Sequence, residues 1–250
     1  MRDARELSGA WADFQRHGFA PPGPGAAQVV ARYWWARWDL RGQPDYVQLI
    51  VPYPSVQLTF GEGAPMVRGV ARGRVRRTLS GLGSVFGVTF RPGIFRRFLG
   101  APVDSVTDRA VPAAAVFGDA LPAVQLSTVA AFEDFLQACP APPDPDGDEV
   151  ASWMADIAAS PGLLRVEHLT RRYGVPTRRL QRLFADHVGV GPKWVLRRYR
   201  LHEVTQRMAA RAPIDWAGLA ADLGYADQAH LVRDFTRMYG ESPTAYAARY

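Results

Sequence analysis

The chain has one cysteine, Cys139, and one lysine, Lys193, in 250 residues. A single thiol excludes an internal disulfide and a Cys-based zinc site. Histidine is almost as scarce where a metalloenzyme would need it. Residues 1–149 hold only His17, outside the stretch read below as β, so the His and carboxylate set of a barrel metal site cannot be assembled. Ser80 and Ser84 have no His base in the same region. The phosphate and zinc signatures GxGxxG, GxxxxGKS and HExxH are missing throughout. Neither an enzyme nor a cofactor nor a metal is expected. No apolar run approaches the roughly 18 residues of a membrane span. The opening stretch, MRDARELSGAWADF, carries Asp3, Glu6 and Asp13 where a signal peptide has an apolar core. With 48% hydrophobic residues and a mean hydropathy of −0.14, the composition fits a soluble globular protein of one or two domains.

What is abundant is arginine, 29 residues of it, and it is unevenly used. The net charge is +6; residues 1–149 hold 15 basic and 15 acidic groups, residues 150–250 hold 15 and 9. The whole excess lies in the C-terminal part. Between Arg171 and Arg182 there are five arginines and no acid. Such a density marks either a solvated face or a phosphate-binding surface.

The same part contains a repeat. LTRRYGVPTRRLQRLFADHVGVGP (169–192) and LAADLGYADQAHLVRDFTRMYGESP (219–243) align Leu169 and Gly174 with Leu219 and Gly224. After one inserted residue, Leu180, Phe184, Gly189 and Pro192 align with Leu231, Phe235, Gly240 and Pro243. Repetition of this length is one structural unit used twice. Each copy reads as helix, glycine turn, helix. Val166, Leu169 and Tyr173 fall on one face, Gly174 suits a left-handed cap, and Leu180, Leu183 and Phe184 mark the next helix. Trp216, Leu219, Leu223, Gly224, Leu231, Phe235 and Met238 repeat the pattern, with Asp227 placed to cap the second helix. Two short helices about a tight turn form the helix-turn-helix plan, and a basic pair of them predicts double-stranded DNA as partner.

On these residues, 150–250 resemble the DNA-binding domain of the AraC/XylS family of transcription regulators. GYADQAHLVRDFTRMYGESPTAYAARY, with Gly224, Phe235, Gly240, Pro243 and Tyr246, is similar to the family's second-unit pattern. Arg200, Leu201, Val204 and Met208 resemble its joining-helix stretch, with Val204 for the usual Ala and Arg207 for a Leu. The resemblance implies an all-α domain of about seven helices, two helix-turn-helix units and a long helix between them. The related repair proteins with a multi-Cys metal site are excluded by the lone Cys139.

Ahead of the repeat the texture is β. VVARYWWARW (29–38), VQLIV (47–51), SVQLTF (55–60), RVRRTLS (74–80) and SVFGVTF (84–90) are short and rich in β-branched and aromatic residues. They suggest a small barrel or sandwich. Residues 1–25 read as loosely ordered, a helix is expected after Pro92, 104–118 read as irregular, and Ser127–Ala138 as a helix. FGVTFRPGIFRRFLGAPVDSVTDRAVPAAAVFG, above all Phe90–Gly93, resembles the cupin-like sensory domains that precede such DNA-binding domains. The expected architecture is therefore α+β in two domains. A cupin-like small β-barrel with flanking helices spans 1–139, an extended acidic linker 140–148, and the DNA-binding domain 149–250.

With Leu180 and Phe184 turned inward, Arg178, Arg179, Gln181 and Arg182 are left to face the groove of the first unit. Gln228, His230 and Arg233 are left in the second. Arg suits guanine O6/N7 and Gln suits adenine N6/N7. The family's base contacts carry over to Arg178, Gln181, Arg182, Gln228, His230 and Arg233. Arg171, Lys193, Arg197, Arg198 and Arg237 are the expected phosphate contacts. The joining helix, about Pro192–Ala210, would be about 28 Å long, close to the ~34 Å between successive major-groove faces. In the N-terminal domain Tyr33, Trp35, Tyr53 and Phe60 are candidates to line a ligand pocket. Strand alternation puts Tyr33 and Trp35 on one face and Trp34 and Trp38 on the other. RVRRTLS, with Arg74, Arg76 and Arg77, reads as an exposed strand face, or as a contact for an anion or a partner. RNA polymerase, a small effector and a second copy of the chain are compatible partners; a membrane is not. The expected place is the cytoplasm, at the nucleoid. The competing reading keeps the DNA binding and makes the N-terminal domain a dimerisation or interaction module without sensing.

Overall fold

The computed structural model describes residues 14–118, 121, 128–210 and 213–248. The expectation of loose order for residues 1–13 lies outside them. The N-terminal half is β-rich. Strands β1 (Gln15–Ala20), β2 (Val30–Leu40), β3 (Tyr46–Ile50), β4 (Gln57–Phe60), β5 (Met66–Arg68), β6 (Val75–Leu79), β7 (Gly81–Phe90) and β8 (Ala110–Pro112) form two sheets. The larger runs β1-β2-β7-β4-β5-β8 and the smaller is the ribbon β3-β6. Among the described residues the larger sheet is open, with β1 and the three-residue β8 as its edges, so the cupin-like domain is not a closed barrel.

One face of the sheet buries Tyr33, Leu58, Phe86, Val88 and Phe90 against short helices. These are α1 (Arg96–Leu99), α2 (Ala114–Phe117) and α3 (Val129–Ala138), with Phe95, Phe132 and Phe135 in the same cluster. The opposite face carries Trp34 and Trp38, which pack toward the ribbon with Leu40, Leu79 and Val85. These two indoles lie flat because a glycine stands directly across from each: Trp34 pairs with Gly87 and Trp38 with Gly83. A Cβ at either glycine would come within 2.3 Å of the ring facing it. β1 and β8 lie in stretches expected to be loose or irregular, and β5 lies between two of the expected strands. Each is short and half-polar, so pairing with a neighbour decides them rather than their own pattern. The helix after Pro92 spans only four residues, ending at Gly100.

The C-terminal half is helical: α4 (Pro145–Ala159), α5 (Val166–Tyr173), α6 (Thr177–Val188), α7 (Pro192–Ala209), α8 (Trp216–Asp222), α9 (Gln228–Tyr239) and α10 (Pro243–Ala247). That makes seven helices in this half among the described residues, as the family resemblance implied. The acidic stretch is extended only as far as Asp144. The Asp144 side chain accepts the Gly147 amide, Pro145 opens α4, and Asp146 and Asp148 sit in its first turn, where acids favour a helix N-terminus. The expected linker therefore has a helical second half.

Both halves meet along a continuous seam. Gly93 lies against the α4 backbone at Gly147 and Ala151. Thr107 Oγ1 donates to the Gly189 carbonyl at 2.6 Å, and Arg97 pairs with Asp148 at 2.7 Å. Trp194 Nε1 donates to the Arg72 carbonyl at 3.0 Å. Val70 of the N-terminal half is buried in the core of the first helical unit.

Candidate nucleic-acid interface

The first unit is α5 and α6. α5 ends at Gly174 with φ 66°, a left-handed position that a side chain would strain, and the chain reverses there into Val175 and Pro176. Pro176 stands at the N-cap position of α6, with no side-chain hydrogen bond to the helix. Leu180, Leu183, Phe184 and Val188 are buried with Leu169, Val195 and Leu196. Tyr173 stacks on Trp153 at 4.8 Å, and Asp156 holds both Tyr173 and Arg172. Arg172 is thereby tied to α4. Arg178, Arg179, Gln181 and Arg182 remain on the exposed face of α6. Arg179 lies 3.4 Å from Glu149, and Arg182 3.9 Å from Asp186. These exposed pairs are worth ~0–1 kcal/mol each, so a phosphate or base edge can replace the carboxylate.

The second unit is α8 and α9. Asp215 caps α8 and Asp227 caps α9, accepting the His230 amide at 2.6 Å. Leu231, Phe235, Met238 and Tyr239 are buried with Leu201, Val204 and Met208 of α7. Gln228, His230, Arg233 and Arg237 are exposed. The His230 ring meets the buried Tyr225 edge-on at 5.1 Å. Burial pushes the Tyr225 phenol up to about 12.

α7 belongs to both units. Its first turns, with Val195 and Leu196, pack in the first core; Leu201, Val204 and Met208 pack in the second; Trp194 touches both. Its 18 residues make it about 27 Å long. Two of the expected phosphate contacts do not fit their role. Arg198 is 5% exposed, its Nε donates to the Pro52 carbonyl and its guanidinium lies over the Tyr53 ring at 5.3 Å. Arg197 is held by Asp234 at 3.0 Å. Both turn away from solvent because α7 is sandwiched between α9 and the N-terminal half, which helix periodicity alone does not reveal. Arg171, Lys193 and Arg237 are exposed.

The four candidate pocket residues do not converge. Tyr33 is fully buried, stacks on Phe86 and donates to Glu133 at 3.2 Å. Phe60 is in the same core. Trp35 shares their face by alternation but is 38% exposed. Trp35 borders a small cavity beside Arg77, and Tyr53 reaches a larger one that the sequence did not suggest. A cleft of about 1220 Å³ opens between the sheet and helices α4 and α7. It is lined by Arg32, Arg91, Arg198 and His202, by apolar groups such as Val51 and Met154, and by no acidic residue among the described residues. The buried Ser55 Oγ, Thr89 Oγ1 and Arg198 Nη1 on its wall have no hydrogen-bond partner among the described residues.

Residues 169–249 match the family model described as a helix-turn-helix domain, and residues 19–112 match a domain of unknown function, DUF6597. No curated protein matches the chain. Among solved structures, ToxT of Vibrio cholerae is similar at 9% identity over 94% of this chain and 98% of that one, with a TM-score of 0.44. ToxT bound to (E)-4-(8-methylnaphthalen-1-yl)but-3-enoic acid is similar at 8% identity, over 94% and 99%, with a TM-score of 0.43. Likeness of this degree carries no functional conclusion. The tandem units and the family match define the class: a helix-turn-helix DNA-binding transcription regulator. The C-terminal domain is the matched helix-turn-helix domain, of AraC type, and it stands behind an N-terminal DUF6597 domain.

Proposed function

We propose that one chain reads two successive major-groove segments, α6 in one and α9 in the next, with residues 1–139 as a regulatory half joined through 140–148. The observation that carries this reading is α7, a single helix whose two ends are built into two separate cores. At about 27 Å it falls somewhat short of the ~34 Å between major-groove faces, so the duplex would bend toward the protein. Arg178, Gln181 and Arg182 read bases in one segment and Gln228, His230 and Arg233 in the other, with Arg179 at the edge of the first. Arg171, Lys193 and Arg237 hold phosphates. Selecting duplexes from a random pool with the full chain tests it. A site of two specified parts about one helical turn apart is expected; one short part, or none, overturns the reading.

The regulatory half acts through a small anionic ligand in the cleft. Unpartnered Ser55, Thr89 and Arg198 atoms beside apolar side chains suit a carboxylate on an apolar body. The α7 side of the cleft is the helix that sets the spacing of the two units, so an occupant bears on DNA reading directly. Thermal-shift screening of the full chain against small carboxylates, repeated with Ser55→Val and Thr89→Val, checks this. A shift lost in the variants supports sensing. No shift with any acid leaves the N-terminal half an interaction module, where dimerisation and contact with RNA polymerase would be its work.

A further inference from the structure

Arg72, Arg74, Arg76 and Arg77 are the densest basic run of the N-terminal half, and the function above gives them no part. Two of them are occupied. Arg72 pairs with Asp108 at 2.7 Å. Arg77 stands opposite Gln48 on the ribbon and lines a small cavity with Trp34 and Trp38. Alternation turns Arg74 and Arg76 to the other face, and both are exposed.

Arg74, just ahead of β6, abuts the second reading helix. Arg74 Nη1 donates to the Thr236 carbonyl at 3.4 Å and lies over Gly240, the residue that caps α9. A Cβ at Gly240 would come within 3.2 Å of the guanidinium. Arg233 and Arg237 are exposed one turn apart on α9. Arg74, lying over Gly240, stands past the helix end beyond them, and Arg76 is the next exposed arginine along the ribbon. The loop that presents them is fixed: the Arg72 carbonyl accepts Trp194, and Asp108 accepts the Arg72 amide. Of the acids around them, Asp108 is taken by Arg72, Glu241 follows Gly240 in sequence, and Asp45 lies at the far end of the ribbon, next to the Tyr46–Leu79 pair.

We infer that the N-terminal half itself touches DNA, with Arg74 and Arg76 binding the phosphate backbone just beyond the segment read by α9. The inference rests on the two-segment reading and extends its footprint on one side only. Charge complementarity supplies the recognition: a duplex carries a phosphate charge every ~1.7 Å, and a row of arginines that continues a reading helix off its end follows that line.

The test uses the full chain and a duplex recovered by selection, either extended about one turn beyond each half or trimmed at one end. Arg74→Ala with Arg76→Ala is compared with Arg74→Lys and Arg76→Lys. On the extended duplex the alanine pair is expected to weaken binding about ten-fold near 0.1 M salt and to lower the salt slope by about two, with the selected sequence unchanged. The lysine pair should restore most of both. Trimming the α9 side should erase the difference between wild type and the alanine pair; trimming the other side should not. If the alanine pair binds every duplex like wild type, or loses equally on trimmed and extended duplexes, the inference fails while the two-segment reading stands. If the full chain binds no duplex, both fail.

Discussion

Arg197 on α7 and Asp234 on α9 form an ion pair of 3.0 Å at side-chain exposures of 21% and 12%. The pair locks the joining helix to the reading helix of the second unit. Removing one partner leaves the other charge desolvated, so Asp234→Ala should destabilise the chain by about 2 kcal/mol. Replacing both, as Arg197→Met with Asp234→Leu, should cost less than the single change. Urea unfolding followed at the tryptophans measures both. A single substitution without effect would mean that the pair does not hold α9.

Arg198 separates packing from DNA contact. It faces Pro52 and Tyr53 rather than solvent. Arg198→Ala should therefore leave the salt slope of DNA binding unchanged, whereas Lys193→Ala, on the exposed start of the same helix, should lower it by about one unit. Titration of binding against salt checks the pair of variants. A drop for Arg198→Ala would return that residue to the DNA surface.

On the reading helices, Gln181→Ala and Arg182→Ala should relax base preference in one half of the selected site, and Gln228→Ala and Arg233→Ala in the other. Each lost bidentate contact should cost ~1–3 kcal/mol against the preferred base. Repeating the selection with each variant reads this directly. Uniform weakening on all sequences would mark the residue as a phosphate contact.

The seam carries a titratable group, His187. It is buried, with Nδ1 3.3 Å from Asp144 Oδ2, outside hydrogen-bond geometry. Desolvation holds its pKa below the usual range; Asp144, Asp146 and Asp186 push it up, and Arg96 pushes it down. A folded-state pKa below the unfolded ~6.5 means that unfolding takes up a proton. This contribution to stability is fully present above about 6.5 and is lost as pH falls through the folded value. Thermal unfolding between pH 7.5 and 5.5 should show that loss, and His187→Gln should flatten it. An unchanged slope in the variant would assign the pH dependence elsewhere.

The helical half was legible because its signals are local. Gly174, Gly189, Gly224 and Gly240 all take positive φ at the turns where the repeat puts them, and Leu180, Phe184, Leu231 and Phe235 are all buried. The long middle strands were legible for the same reason. What the sequence concealed is what depends on distant partners. Arg198 is buried by a carbonyl 146 residues away, and Thr107 meets Gly189 across 82. β1 and β8 exist because β2 and β5 offer them an edge. The aromatic set misled because a strand face is not uniformly covered. Tyr33 and Trp35 share a face, yet helices overlie only the first.

The central claim is that α7 holds the two units in fixed register. Inserting one alanine between Leu196 and Arg197 tests it most directly. The boundary separates the buried α7 residues of the first core, Val195 and Leu196, from those of the second, Leu201, Val204 and Met208. The insertion keeps helix propensity but turns the second unit by about 100° and shifts it by about 1.5 Å. The full chain should keep its helical circular dichroism and still bind duplexes carrying either half of the site, while its affinity for the intact site falls to that for one half. Unchanged affinity and footprint on the intact site would contradict a single chain reading two grooves through a rigid helix.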